Sequence, residues 1–130
     1  MGGRVFCTRG IHRQHQSLWI VPSATWAELE AGLRGGERGF QFGGPRARLR
    51  EYLLGYSEEA QVDRQGRVLL PAELRAWAGC ERELMLRGEG THLAVWALDE
   101  WRRYEQAELT LGQVFEDARE FDWRESRHGA

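Results

Sequence analysis

Asp63-Arg64-Gln65-Gly66-Arg67-Val68-Leu69-Leu70-Pro71-Ala72-Glu73-Leu74-Arg75 decides how this chain is read. An Asp can bond back to the backbone two residues on, and a Gly adopts a positive φ at low cost, so residues 63–66 predict a chain reversal. Val68-Leu69-Leu70 reads as a short buried strand. Pro71 ends it and suits the first turn of a helix, expected over residues 72–78 with Gly79 as its left-handed stop. The turn then offers Arg64 and Arg67 from a rigid base. Such arginines suit phosphate and base-edge recognition, because the guanidinium fork donates two parallel hydrogen bonds. Asp63 and Gly66 fix the turn and Pro71 the exit from it. For Arg67, a salt bridge to Asp63 that only stiffens the hairpin is an alternative use, compatible with the first. Arg75 can pair with an acid or a phosphate.

Working outward, two copies of one pattern flank this segment. Val5-Phe6-Cys7-Thr8-Arg9-Gly10 precedes Leu18-Trp19-Ile20-Val21 and Trp26, while Leu84-Met85-Leu86-Arg87-Gly88 precedes Leu93-Ala94-Val95-Trp96 and Trp101. Each copy is strand, Arg-Gly turn, strand, short helix, which predicts a pseudo-two-fold arrangement. Gly35-Gly36 and Gly43-Gly44-Pro45 bracket a connection between the copies. Leu49, Tyr52, Leu53 and Tyr56 fall at helical spacing over residues 46–56, with Arg46, Arg48 and Arg50 on the solvated side. Residues 59–62 form a strand candidate leading into the Asp63 turn. Asp99 is the expected cap of a helix over residues 100–108, and a last helix covers residues 112–121. Trp19, Trp26, Trp96 and Trp101 occupy equivalent places and read as packing residues; Trp77 and Trp123 suit core or interface. The fold class is α+β.

Composition narrows the function. The net charge is −2, so no global basic field advertises nucleic acid. All eighteen basic residues are arginine. They crowd the middle, at Arg46, Arg48, Arg50, Arg64, Arg67 and Arg75, and acids gather late, from Glu105 to Glu125. No apolar run approaches the roughly 20 residues that span a bilayer, and no secretory signal opens the chain, so the expected compartment is the cytoplasm. Cys7 and Cys80 lack metal-type spacing and read as inert buried thiols. His12, His15, His92 and His128 form no ligand pattern, and no phosphate loop or nucleophile–base pair is present. The expectation is no catalysis, no metal, no cofactor and no small-molecule substrate.

The Asp-x-x-Gly-Arg turn (Asp63, Gly66, Arg67), the strand ending at Pro71, Leu74-Arg75, both Arg-Gly/Trp units and the late acidic helix together resemble the MraZ family of the SpoVT/AbrB-like DNA-binding superfamily. The resemblance covers nearly the whole chain. It implies two pseudo-symmetric halves: a truncated first half over residues 1–45, a second over 46–107 with the intact turn, and an acidic helix and tail over 108–130. It also implies a nucleoid-associated regulator of the division and cell-wall gene cluster, binding repeated promoter DNA elements as a ring-shaped homo-oligomer. Arg67, Arg64 and Arg75 are then the DNA-contacting candidates. One departure stands out. The family pattern calls for a second Asp-x-x-Gly-Arg turn before Val5, and this sequence begins past it. The expectation is a start codon further upstream. The strands at Val5 and Leu18 are expected to have lost partners and to leave open edges. Two other readings follow from the departure or the superfamily: an oligomerisation protein that no longer binds DNA, and an AbrB-like antitoxin with a protein partner.

Overall fold

Two antiparallel hairpins build the centre of the sheet. In the first, β1 (Gly3–Arg9) pairs with β2 (Leu18–Pro22) from Val5↔Pro22 to Arg9↔Leu18, and Gly10 N donates to Ser17 O at 2.8 Å across the loop. In the second, β4 (Leu84–Gly88) pairs with β5 (Leu93–Ala97), and Glu89 N donates to His92 O at 2.9 Å. Gly90 takes the positive φ, 88°, that this tighter turn requires. The structure, a computed structural model, describes residues 3–34 and 44–121. The Gly35-Gly36 connection, Trp123 and the end of the acidic tail lie outside the described residues.

The hairpins join through their second strands, and β3 (Glu58–Val62) adds to the outer side of β1, from Gly3↔Val62 to Cys7↔Glu58. The order is β3-β1-β2-β5-β4. This overturns the expectation for β1 and β2. Both are interior strands, because β3, arriving from some fifty residues downstream, takes the side of β1 that local reasoning left empty. Among the described residues, the edge strands are β3 and β4.

The joint between the hairpins carries the symmetry. Leu18 and Leu93 are equivalent in the two copies, as are Ile20 and Val95. The register pairs Leu18 with Val95 and Ile20 with Leu93, so these contacts are mates of each other, and Trp19 and Ala94 face across the pseudo-axis. The same registers correct one detail of the repeat. Arg9 stands opposite Leu18 but Gly88 stands opposite Leu93, so Arg9 corresponds to Gly88 and Arg87 to Thr8. The Arg-Gly motif slips by one residue between copies. A one-residue slip reverses the face of a strand side chain, and the two arginines therefore do different work.

The chain divides into two compact units, residues 1–98 and 99–130. In the first, alternation along the strands sends Cys7, Leu18, Val95 and Ala60 to one face, where Leu74 and Ala78 of α3 (Ala72–Ala78) and Cys80 complete the core. The opposite face meets α1 (Ser23–Leu33) and α2 (Gly44–Gly55). There Phe6 stacks on Trp26 with centroids 5.1 Å apart, and the buried Thr8 hydroxyl donates to Leu53 O at 2.7 Å. Trp26 and Trp96 are buried as expected. Arg46 and Arg48 are exposed, but Arg50 Nη1 donates to Leu33 O at 3.4 Å, where the last carbonyls of α1 favour a cation.

α4 (Leu98–Glu108) begins earlier than its sequence suggested, so Asp99 and Glu100 lie in its first turn instead of capping it. Acids there still complement the helix dipole. In the second unit, α5 (Leu111–Glu120) is capped by Thr110, whose hydroxyl accepts from Gln113 N at 3.2 Å. Leu111, Val114 and Phe115 of α5 are exposed.

Candidate nucleic-acid interface

The turn at Asp63 is held by its own side chain. Asp63 Oδ1 accepts from the backbone N–H of Gln65 at 2.9 Å and of Arg67 at 2.8 Å. Asp63 N donates to Arg67 O at 2.9 Å, and Gly66 N to Asp63 O at 3.0 Å. Gly66 has φ 82°, which an L side chain rarely adopts. The backbone N–H of Arg67, then its side chain and the N–H groups of Gln65 and Gly66, hold the Asp63 carboxyl below its ordinary value of 3.8; the cost of burial opposes them.

Arg67 is both anchored and available. Its Nε donates to Asp63 Oδ2 at 2.8 Å, and its side chain is 74% exposed. The Nη groups, which form the end-on fork, carry no hydrogen bond among the described residues. The pairing with Asp63 anticipated in the sequence is therefore present, and it leaves the fork open. An ion pair this exposed adds little stability by itself, and its larger effect is to restrict the rotamers of Arg67. Arg64, at the tip of the same turn, is exposed.

The exit from the turn departs from expectation. Val68 makes a single bridge to Val62, and Leu69 and Leu70 extend no ladder. Leu69 is 81% exposed, whereas Val68 and Leu70 pack against the core. An irregular segment with alternate residues turned inward thus replaces the short buried strand. Pro71 immediately precedes α3, and Arg75 N donates to Pro71 O at 2.9 Å. α3 presents Leu74 and Ala78 to the core, so Arg75, about 100° further round the helix, lies on its exposed side. Gly79 closes the helix with φ 69°, as predicted.

Sequence reasoning missed Arg9. Its guanidinium carbon lies 3.6 Å from the Tyr56 ring centroid and 4.3 Å from that of Trp77. This cation–π sandwich ties β1 to the end of α2 and to α3, the helix that carries Arg75. A lone Arg in a strand gives no local sign of such stacking. Among the described residues, no group of three or more His, Cys, Asp or Glu could hold a metal ion. No described helix is long and apolar enough to cross a membrane.

Comparison with known proteins is consistent across the chain. Residues 47–122, which include the whole turn and α3, match the family described as "MraZ protein, putative antitoxin-like". The "Transcriptional regulator MraZ" of Desulforamulus reducens is 35% identical over 118 residues, covering 90% of this chain and 79% of that protein. Its namesake from Moorella thermoacetica is 33% identical over 104 residues, 80% of this chain and 68% of the relative. That of Thermomicrobium roseum is 35% identical over 112 residues, 85% and 72%. With the turn, the α+β architecture and these relatives in agreement, the chain belongs to the MraZ family.

Proposed function

We propose that this chain is a transcriptional regulator that binds repeated promoter elements sequence-specifically, with Arg67 as the principal base contact. Arg64 and Arg75 assist, as second base contact and phosphate contact. The observation that carries the reading is the Asp63–Arg67 pair. Nε is held at 2.8 Å by a side chain that also fixes the turn, so the exposed fork approaches DNA with little rotamer entropy left to lose. A bidentate arginine–guanine contact discriminates by about 1–3 kcal/mol, too little for one subunit to find an operator. Several copies on repeated elements, in the ring-shaped homo-oligomer that the family resemblance implies, supply the remainder through effective concentration. The relatives' name, transcriptional regulator, supports the same reading, and a division and cell-wall promoter is the first DNA to try.

The test is a gel-shift series on that promoter. Arg67→Ala is expected to weaken binding by about ten- to a hundredfold, in line with one lost bidentate contact. Arg48→Ala, on the exposed side of α2, is expected to change it less than about twofold, as a peripheral charge does. Equal losses would sink the turn-centred reading. Binding should also fall steeply with salt. An oligomerisation protein that does not bind DNA is the second reading, favoured by the single Asp-x-x-Gly-Arg turn in this sequence where the family pattern calls for two. Assemblies that ignore promoter DNA at low salt would decide for it.

A further inference from the structure

Leu69, 81% exposed, is the one large apolar side chain of residues 63–75 left open to solvent. A lone exposed leucine means little by itself. This one is pinned. Val68 and Leu70 on either side pack against the core, and Pro71 follows, immediately before α3. Val68 is also bridged to Val62. With both neighbours turned inward, Leu69 cannot fold back without pulling one of them out.

Alternation sets Leu69 beside the working end of the turn. Residues 67 and 69 are exposed, and residues 68 and 70 are turned inward. The Arg67 and Leu69 side chains therefore leave the same face of the segment. Extended chain advances by about 3.3 Å per residue, so their Cα atoms lie about 7 Å apart. Successive nucleotides of one DNA strand are spaced by about 3.4 Å, so the two side chains span about two base steps. Arg67 is tethered through Nε to Asp63. The offset between its fork and Leu69 is thus set before any DNA arrives.

In the major groove the base edges present donors and acceptors, and a leucine can pair with none of them. Placed against those groups, it would strip their water and give nothing back. The one methyl group displayed there is the C5-methyl of thymine. It is the base-edge feature that an aliphatic side chain can bury to advantage.

We infer that Leu69 is a specificity-determining residue, packing on a thymine methyl group within about two base pairs of the guanine that Arg67 holds. The segment then reads two neighbouring bases by unlike chemistries, one through a charged fork and one through apolar contact. The inference rests on the DNA-binding reading above and adds to it the base that stands beside the Arg67 contact.

The test uses the full chain and the promoter fragment of the gel-shift series, prepared once with thymine and once with uracil in its place. Uracil keeps the base pairing and lacks only the methyl group. The unaltered protein is expected to bind the uracil fragment more weakly by about fourfold or more, the value of one buried methyl group. Leu69→Ala should bind the thymine fragment more weakly by at least as much, and should no longer distinguish the two fragments. Arg67→Ala should still distinguish them. Single uracil substitutions should place the sensitive thymine within about two base pairs of the guanine whose replacement Arg67→Ala no longer feels.

If the unaltered protein binds both fragments equally, the inference is wrong. It is also wrong if uracil costs the unaltered protein and Leu69→Ala the same factor, because the methyl groups then act through duplex shape. A sensitive thymine further from that guanine overturns it too. So does a change in the sedimentation velocity of Leu69→Ala, which would put the leucine between subunits. The parent reading fails in a different way: the unaltered protein then leaves both fragments unbound at low salt, and this inference falls with it.

Discussion

Asp63 concentrates the most consequence in one side chain. It accepts two backbone N–H bonds and one from Arg67 Nε, and all favour its charged form. Because the folded carboxyl titrates below 3.8, the stabilisation it gives the turn is complete above that value. It is lost as pH falls further, through the depressed value of the folded state. The Arg67 amide resonance in NMR should therefore be flat through neutral pH and move only in strong acid. Asp63→Asn can keep the backbone bonds through its carbonyl oxygen, and should abolish that titration. Asp63→Ala removes both, and is expected to weaken promoter DNA binding nearly as much as Arg67→Ala although it touches no DNA in the proposed reading. An Asp63→Ala variant with wild-type affinity would show that the tether is irrelevant. These residues were legible from sequence because every bond involved lies within five positions. Arg9 was not, since its partners Tyr56 and Trp77 are far along the chain.

At the scale of elements, the first hairpin is clamped to α2 by two unlike devices. Thr8, 0% exposed, donates to Leu53 O, and the Tyr52 hydroxyl donates to Gly10 O at 3.0 Å. Thr8→Val keeps the shape and strands a buried carbonyl, which should cost about 1–3 kcal/mol in urea unfolding. Gly10 is a steric requirement. A Cβ there would lie 2.3 Å from the Ser17 hydroxyl and 3.0 Å from Trp19 Nε1, so Gly10→Ala should destabilise by about 1–3 kcal/mol through overpacking. If unfolding midpoints of both variants match the parent, the clamp is not as described. Helix starts and stops were readable where a local residue sets them, as Pro71 and Gly79 do for α3. Strand identity at residues 68–70 was not. Apolar composition fits a strand, but a ladder also needs a neighbour, and Leu69 has none.

At the largest scale, residues 1–98 hold a symmetric pair of hairpins, with β3 paired to the outer side of the first and, among the described residues, no strand paired to the outer side of the second. The repeat was visible in the sequence because each hairpin closes locally. What joins them was not: β2 meets β5 and β3 meets β1 across long separations, and no local pattern names a distant partner. The expectation of open edges at β1 and β2 failed for that reason. Those separations also set an order of events in time. Local hairpins form in microseconds, whereas pairings across fifty or more residues wait on loop closure. Cys7 and Cys80, both in the core cluster, are sealed only when β3 and α3 arrive. Burial raises the Cys7 thiol to about 11, with the charge of Glu58 adding to it, so in the finished fold it is a poor nucleophile. During refolding, a thiol-reactive pulse should label Cys7 well after the hairpin signal has saturated. Protection of Cys7 in the same kinetic phase as the first hairpin would contradict that sequence. A nascent chain thus leaves Cys7 uncovered until residues 58–80, with the turn that carries Arg67 among them, have left the ribosome, and the core it joins closes only when Val95 of β5 follows.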